Sequence, residues 1–161
     1  MWHKEIHVDF GVYGIIAASN KLLVTKNSTG PYKNRFDLPG GKLDDGKSSY
    51  DTMVKKVSKT TGLQVLEAKQ LGTVSFSYPW QYQNYDWRKH VCTFYQIVDY
   101  LGVPITSEKQ FVNLDTGVIW IDIEDLNLEN SSPLVLKAKE FILLNEFVVT
   151  DTKYVHWSVL D

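Results

Sequence analysis

Four lysines, Lys47, Lys55, Lys56 and Lys59, stand close together in the first half of the chain. If the segment is helical, Lys56, Lys59 and Thr60 occupy one face, because positions three and four apart lie one turn from each other. Ammonium groups gathered this way draw anions and repel cations. A divalent ion about 6 Å from one lysine is repelled by roughly 5 kcal/mol at an effective dielectric near 20, before the flexible side chain swings away. With Lys42 and the upstream Lys33 and Arg35, such a cluster could hold phosphate oxygens directly.

The local pattern predicts the helix. Ser48 suits an N-cap, with Asp51 three residues on in the positive first turn. Tyr50, Met53, Val54 and Val57 recur at i, i+3, i+4 and i+7, one apolar stripe facing a core. Gly62 suits the left-handed residue past the end, so the helix is expected over 49–61. Pro39-Gly40-Gly41 supplies a tight loop ahead of it.

The run Phe36-Asp37-Leu38-Pro39-Gly40-Gly41-Lys42-Leu43-Asp44-Asp45-Gly46-Lys47, with the helix that stops at Gly62-Leu63, resembles the Nudix box, G-x5-E-x7-R-E-U-x-E-E-x-G-U with U a bulky aliphatic residue. Gly41 opens the box, Val57 takes the first aliphatic position, and Gly62 and Leu63 close it. The charged positions differ. The four Glu positions fall on Lys47, Lys56, Lys59 and Thr60, and the Arg position on Lys55.

The resemblance implies an α+β fold, a Nudix-like α/β/α sandwich with a mixed β-sheet between helices, in one domain spanning 1–161. It also implies cleavage of X-linked nucleoside diphosphates with Mg²⁺ or Mn²⁺ held by the box glutamates. With those glutamates replaced, no box position is an intact catalytic residue, and loss of the base alone lowers a rate by about 10² to 10⁴. The expected function is binding of a nucleoside-diphosphate-type ligand with lost or much reduced pyrophosphohydrolase activity, and no cofactor. The alternative is an active hydrolase whose Mg²⁺ or Mn²⁺ is held by carboxylates outside the box, with Asp44, Glu108 and Asp115 as the candidates.

The expected ligand-binding set is Lys33, Arg35, Gly40, Gly41, Lys56 and Lys59, joined by Tyr82, Tyr85 and Trp87. The last three belong to an aromatic stretch, residues 76–87, whose rings stand among Gln81, Gln83, Asn84 and Asp86. Bases stack on such rings with about 1 to 3 kcal/mol each. Tyr and Trp are equally enriched in protein interfaces, so a partner surface or a homodimer is a further reading. Asp45, Asp51 and Asp86 read as exposed loop or first-turn acids. His3, His7, His90 and His156 show no paired metal spacing, and His90 reads as a packed or exposed residue.

The formal net charge of −2 gives no global pull toward nucleic acid or an anionic membrane. The single Cys92 excludes an internal disulfide framework, and neither a secretory leader nor a membrane-spanning run is evident, which suits a reducing cytoplasm. Residues 11–18 and 21–26 are expected to form a hairpin about Ser19-Asn20, and residues 64–77 and 90–98 to be strands joined by a polar-aromatic connection over 79–88. A further strand is expected at 117–122, and a second helix from Ser132-Pro133 with Leu134, Ala138, Phe141, Leu144, Asn145 and Val148 inward. Residues 154–160 read as a strand or an extended packed segment.

Overall fold

The computed structural model describes residues 5–105 and 117–161. Among these residues nine strands and two α-helices follow one another as β1 (Ile6–Ile15), β2 (Ala17–Ala18), β3 (Lys21–Lys26), β4 (Phe36–Asp37), β5 (Gly40–Lys42), α1 (Ser49–Thr61), β6 (Gln64–Tyr82), β7 (Tyr85–Leu101), β8 (Ile119–Asp122), α2 (Pro133–Leu144) and β9 (Thr152–Lys153).

The main sheet is mixed, in the order β5-β1-β7-β6-β9. β1 runs parallel to β7, whereas β5 on β1 and β6 on β7 are antiparallel. Residues at the end of β1 and just past it alternate between two cores. Val12 and Ile16 join Met53 and Val57 of α1 in one cluster, while Tyr13 and Ile15 join Leu134, Val135 and Ala138 of α2 in the other. The same alternation along β7 sends Tyr95 and Ile97 to the first and Cys92 and Phe94 to the second. A sheet apolar on both faces needs cover on both, and the two helices provide it. This is the α/β/α sandwich expected from the sequence.

The α1 helix has the expected ends: the Ser48 side chain accepts from the Asp51 N–H at 3.0 Å, and Gly62 caps it at φ 77°. Its buried face differs in detail, with Thr52 and Thr61 beside Met53 and Val57, while Tyr50 is exposed and meets Tyr95 edge-on. The α2 helix starts at Pro133 behind the Ser132 cap and stops at Asn145, φ 53°. Because the helix ends there, Leu144 and Asn145 are exposed rather than inward.

Two strand expectations change. β1 begins at Ile6 and belongs to the main sheet, so the Ser19-Asn20 hairpin joins only β2 to β3. Residues 79–88 are not a connection, because β6 and β7 pair onward to Tyr82↔Tyr85 and the turn between them is Gln83-Asn84 alone. Pro79 is accommodated where the pairing becomes irregular, past the last residue of β6 that meets β9. Residues beyond β9 form no further strand and are anchored by Trp157, which stacks on Tyr78 with ring centroids 4.7 Å apart and donates from Nε1 to the Pro31 carbonyl at 2.8 Å.

Candidate functional site

Position by position, β5 is where the box begins. A Cβ at Gly40 would stand 2.2 Å from the Val12 carbonyl oxygen, and its φ of 136° is strained for any other residue, so only glycine lets β5 lie on β1 here. A Cβ at Gly41 would meet the Lys56 side chain at 3.2 Å. The helix therefore lays one lysine stem across the glycine loop. Docking of Ile105 against the other end of α1, through its N–H to the Thr61 carbonyl at 2.8 Å, completes a wall.

Between these elements lies a cleft of about 400 Å³. Lys55, Lys56, Lys59 and Thr60 enter it from α1, Gly40 from β5, Ile105 from the far wall and Asp44 from the loop before the helix. Asp44 divides its carboxylate between two ammonium groups, with Oδ1 3.5 Å from Lys56 Nζ and Oδ2 3.6 Å from Lys55 Nζ. Desolvation pushes its pKa up, but Lys56, Lys55 and Lys47 prevail and hold it below the ordinary carboxylate value. Lys47 lies beside Lys55, whose contact and charge lower its own pKa. Thr60 directs its hydroxyl back to the Lys56 carbonyl at 2.9 Å.

A divalent cation fits this donor set poorly. Hard cations take several oxygen ligands, and among the described residues no three His, Cys, Asp or Glu side chains converge to hold one. The cleft's one described carboxylate already faces two lysines. Glu108 and Asp115 lie outside the described residues.

A second cleft, about 340 Å³, is lined by Lys42 at the other end of β5, by His7 and Asp9 of β1, by Trp80, Tyr82 and Arg88 of the long hairpin, and by Gly30 and Pro31. Gly40 and Lys42 bound one cleft each and are two residues apart on a strand, about 7 Å. Asp9 accepts from Arg88 Nε at 2.7 Å and pairs with His7 Nδ1 at 3.3 Å. Burial works against the Arg88 charge, but Tyr78, Tyr32 and Asp9 raise its pKa above the ordinary value.

The aromatic residues expected to bind ligand are therefore divided. Tyr82 lines the second cleft and Tyr85 stands 4.9 Å from the His7 ring, whereas Trp87 turns toward Lys153, whose Nζ lies 5.1 Å from its ring centre. Lys33 is exposed and lines neither cleft. Arg35 is a correction. It is buried, donates from Nη1 to the carbonyls of Leu128 and Ser131 and from Nη2 to that of Ser158, and lies over the Trp157 ring at 4.5 Å. Its donors tie down the downstream chain, so it is not placed to take phosphate.

Sequence reasoning missed the buried polar chain beneath the second cleft. His90 is held between two phenols, Tyr13 Oη 2.9 Å from Nε2 and Tyr32 Oη 2.8 Å from Nδ1. Burial, and then Arg88, push its pKa well below the ordinary histidine value, so the ring is neutral. Alternation along β7 puts Arg88, His90 and Cys92 on one face, a signal present in the sequence. Their partners on β1 are some eighty positions away, a signal that is not.

A sequence profile of the NUDIX domain matches residues 5–143. The chain belongs to the Nudix family. An ADP-ribose pyrophosphatase of Methanocaldococcus jannaschii is 33% identical over 115 residues, covering 68% of this chain and 64% of that protein. The chain thus matches less than two thirds of that relative's length. A MutT NUDIX hydrolase from Burkholderia pseudomallei superposes with a TM-score of 0.65 at 20% identity, over 83% of this chain and 97% of that one. The NUDIX domain of Shewanella oneidensis NrtR, solved in complex with ADP ribose, gives 0.55 at 19% identity over 90% of each chain. At those identities the two structures speak to fold alone.

Proposed function

We propose that this Nudix domain binds a nucleoside-diphosphate derivative of the ADP-ribose type and hydrolyses it slowly or not at all. The carrying observation is the lysine cleft, where Lys55, Lys56 and Lys59 stand on the box helix and no described carboxylate is free for a metal. The diphosphate takes the ammonium groups in place of a cation's charge. The neighbouring cleft, with Tyr82, Trp80 and Lys42, lies close enough for the nucleoside half of the same molecule. The name of the Methanocaldococcus relative supports this ligand class.

The relative's name also favours a second reading, an active hydrolase using Mg²⁺ or Mn²⁺ and the acids Asp44, Glu108 and Asp115. Thermal shift with ADP-ribose separates the two. A ligand at one hundred times its dissociation constant stabilises by about 2.7 kcal/mol. Stabilisation without metal, and no AMP release when Mg²⁺ or Mn²⁺ is added, supports the binder. Metal-dependent turnover at ordinary enzyme rates, lost in Glu108→Ala or Asp115→Ala, would replace it with the hydrolase.

The same reading takes residues 1–161 as one domain in a reducing compartment, supported by the profile's span and by buried, unpaired Cys92. Among the described residues no helix is long and apolar enough to cross a membrane.

A further inference from the structure

Asp44 is the one acid among the cleft's described lining residues, and it faces the cations rather than solvent alone. Each oxygen meets a different ammonium, the forked arrangement that a phosphate offers as well. The carboxylate is ionised at neutral pH, since the lysines hold its pKa down. It is carried on a short irregular loop between β5 and α1 whose Gly46, φ 78°, has no atom within 4 Å of where its Cβ would be. The loop is thus free of packing at that point. An anion within reach of Lys55 and Lys56 competes with Asp44 for the same ammonium groups.

We infer that Asp44 is a resident anion that a ligand must displace, and that it sets the cleft's preference for diphosphates over singly charged phosphate esters. This rests on the lysine cleft being the ligand site. A monoanion exchanging with the carboxylate replaces one charge by one and gains nothing. A diphosphate brings further charges on adjacent phosphates, for Lys59 and Lys47 as well. Asp44 also neutralises the lysines in the free protein, so it stabilises the free state while weakening binding.

The test compares the wild type with Asp44→Asn and Asp44→Ser, by calorimetric titration of sodium diphosphate and of dimethyl phosphate without divalent metal, and by thermal melting. Removing two opposing ion pairs of surface strength should tighten diphosphate binding about tenfold. Dimethyl phosphate should gain by a larger factor, narrowing the ratio between the two ligands, while both free variants melt below the wild type; an unchanged ratio would overturn the role of Asp44 in that preference. Equal diphosphate affinities in all three proteins, or weaker binding in the variants, would overturn the role of Asp44 and leave the lysine cleft standing. No diphosphate binding by any of them would overturn the cleft reading, and this inference with it.

Discussion

Replacing Lys56 by alanine probes the cleft most directly. Its stem lies over Gly41 and its side chain is 29% exposed, against 58% for Lys55, so its ammonium is the better positioned of the two. A hydrogen bond to a charged group contributes about 1.5 to 3 kcal/mol, which corresponds to about ten- to hundredfold in affinity. The loss is compounded, because Asp44, freed from Lys56, can turn wholly to Lys55 and weaken it as a ligand. The loss expected for Lys56→Ala is therefore toward the hundredfold end, and for Lys55→Ala toward tenfold. Lys33→Ala is the control, since it lines neither cleft; at about 0.15 M salt the Debye length is about 8 Å, so its loss should stay below about twofold. The assay is calorimetric titration of sodium diphosphate without divalent metal. Equal losses for Lys33→Ala and Lys56→Ala would mean a diffuse positive surface and would refute a built site, as would an unaffected Lys56→Ala.

Other outcomes follow from the same geometry. Gly40→Ala should destabilise by about 3 kcal/mol or prevent folding, since a Cβ 2.2 Å from a backbone oxygen cannot be absorbed, while Gly46→Ala should cost about 1 kcal/mol; urea melts check the difference. Arg35→Ala should cost about 2 to 3 kcal/mol in the same melts, by leaving the carbonyls of Leu128, Ser131 and Ser158 without their donor, yet leave diphosphate affinity unchanged. A drop in affinity with stability retained would restore Arg35 as a ligand residue. His90 is held neutral in the fold, so the unfolded chain binds the proton more readily, and stability present above the unfolded pKa near 6.5 should fall as pH drops below it. The slope approaches about 1.4 kcal/mol per pH unit and should vanish in His90→Gln; the same slope in that variant would assign it elsewhere.

Local chemistry made the box helix legible. Ser48, the Met53/Val57 pair and Gly62 each act within a turn of where they stand, and the helix has the ends they prescribe. The lysine face was equally legible, because helical periodicity alone gathers Lys56, Lys59 and Thr60. The long hairpin was not. Gln81, Gln83, Asn84 and Asp86 have a loop's composition, but Tyr78, Trp80 and Tyr82 keep the strand period and cross-strand pairing carries it to the turn, where Gln83 adopts φ 52° without being glycine. Arg35 misled for a different reason. Its proximity to the box suggested a ligand, whereas its partners lie about a hundred positions downstream and come to it only through the fold. Asp44 was visible as an acid beside the box's first Glu position, but its coupling to two lysines is a matter of loop path.

The pairing of β1 with β7 spans about eighty residues of sequence, whereas β6 and β7 are joined by a two-residue turn. During synthesis the N-terminal strand leaves the ribosome long before its mate exists, with an unpaired edge and apolar residues on both faces. Such segments are what chaperones retain and what aggregates recruit. The floor of the lysine cleft, which is β5 lying on β1, can be secured only after β7 has emerged, so anion binding by a nascent chain should switch on late and abruptly.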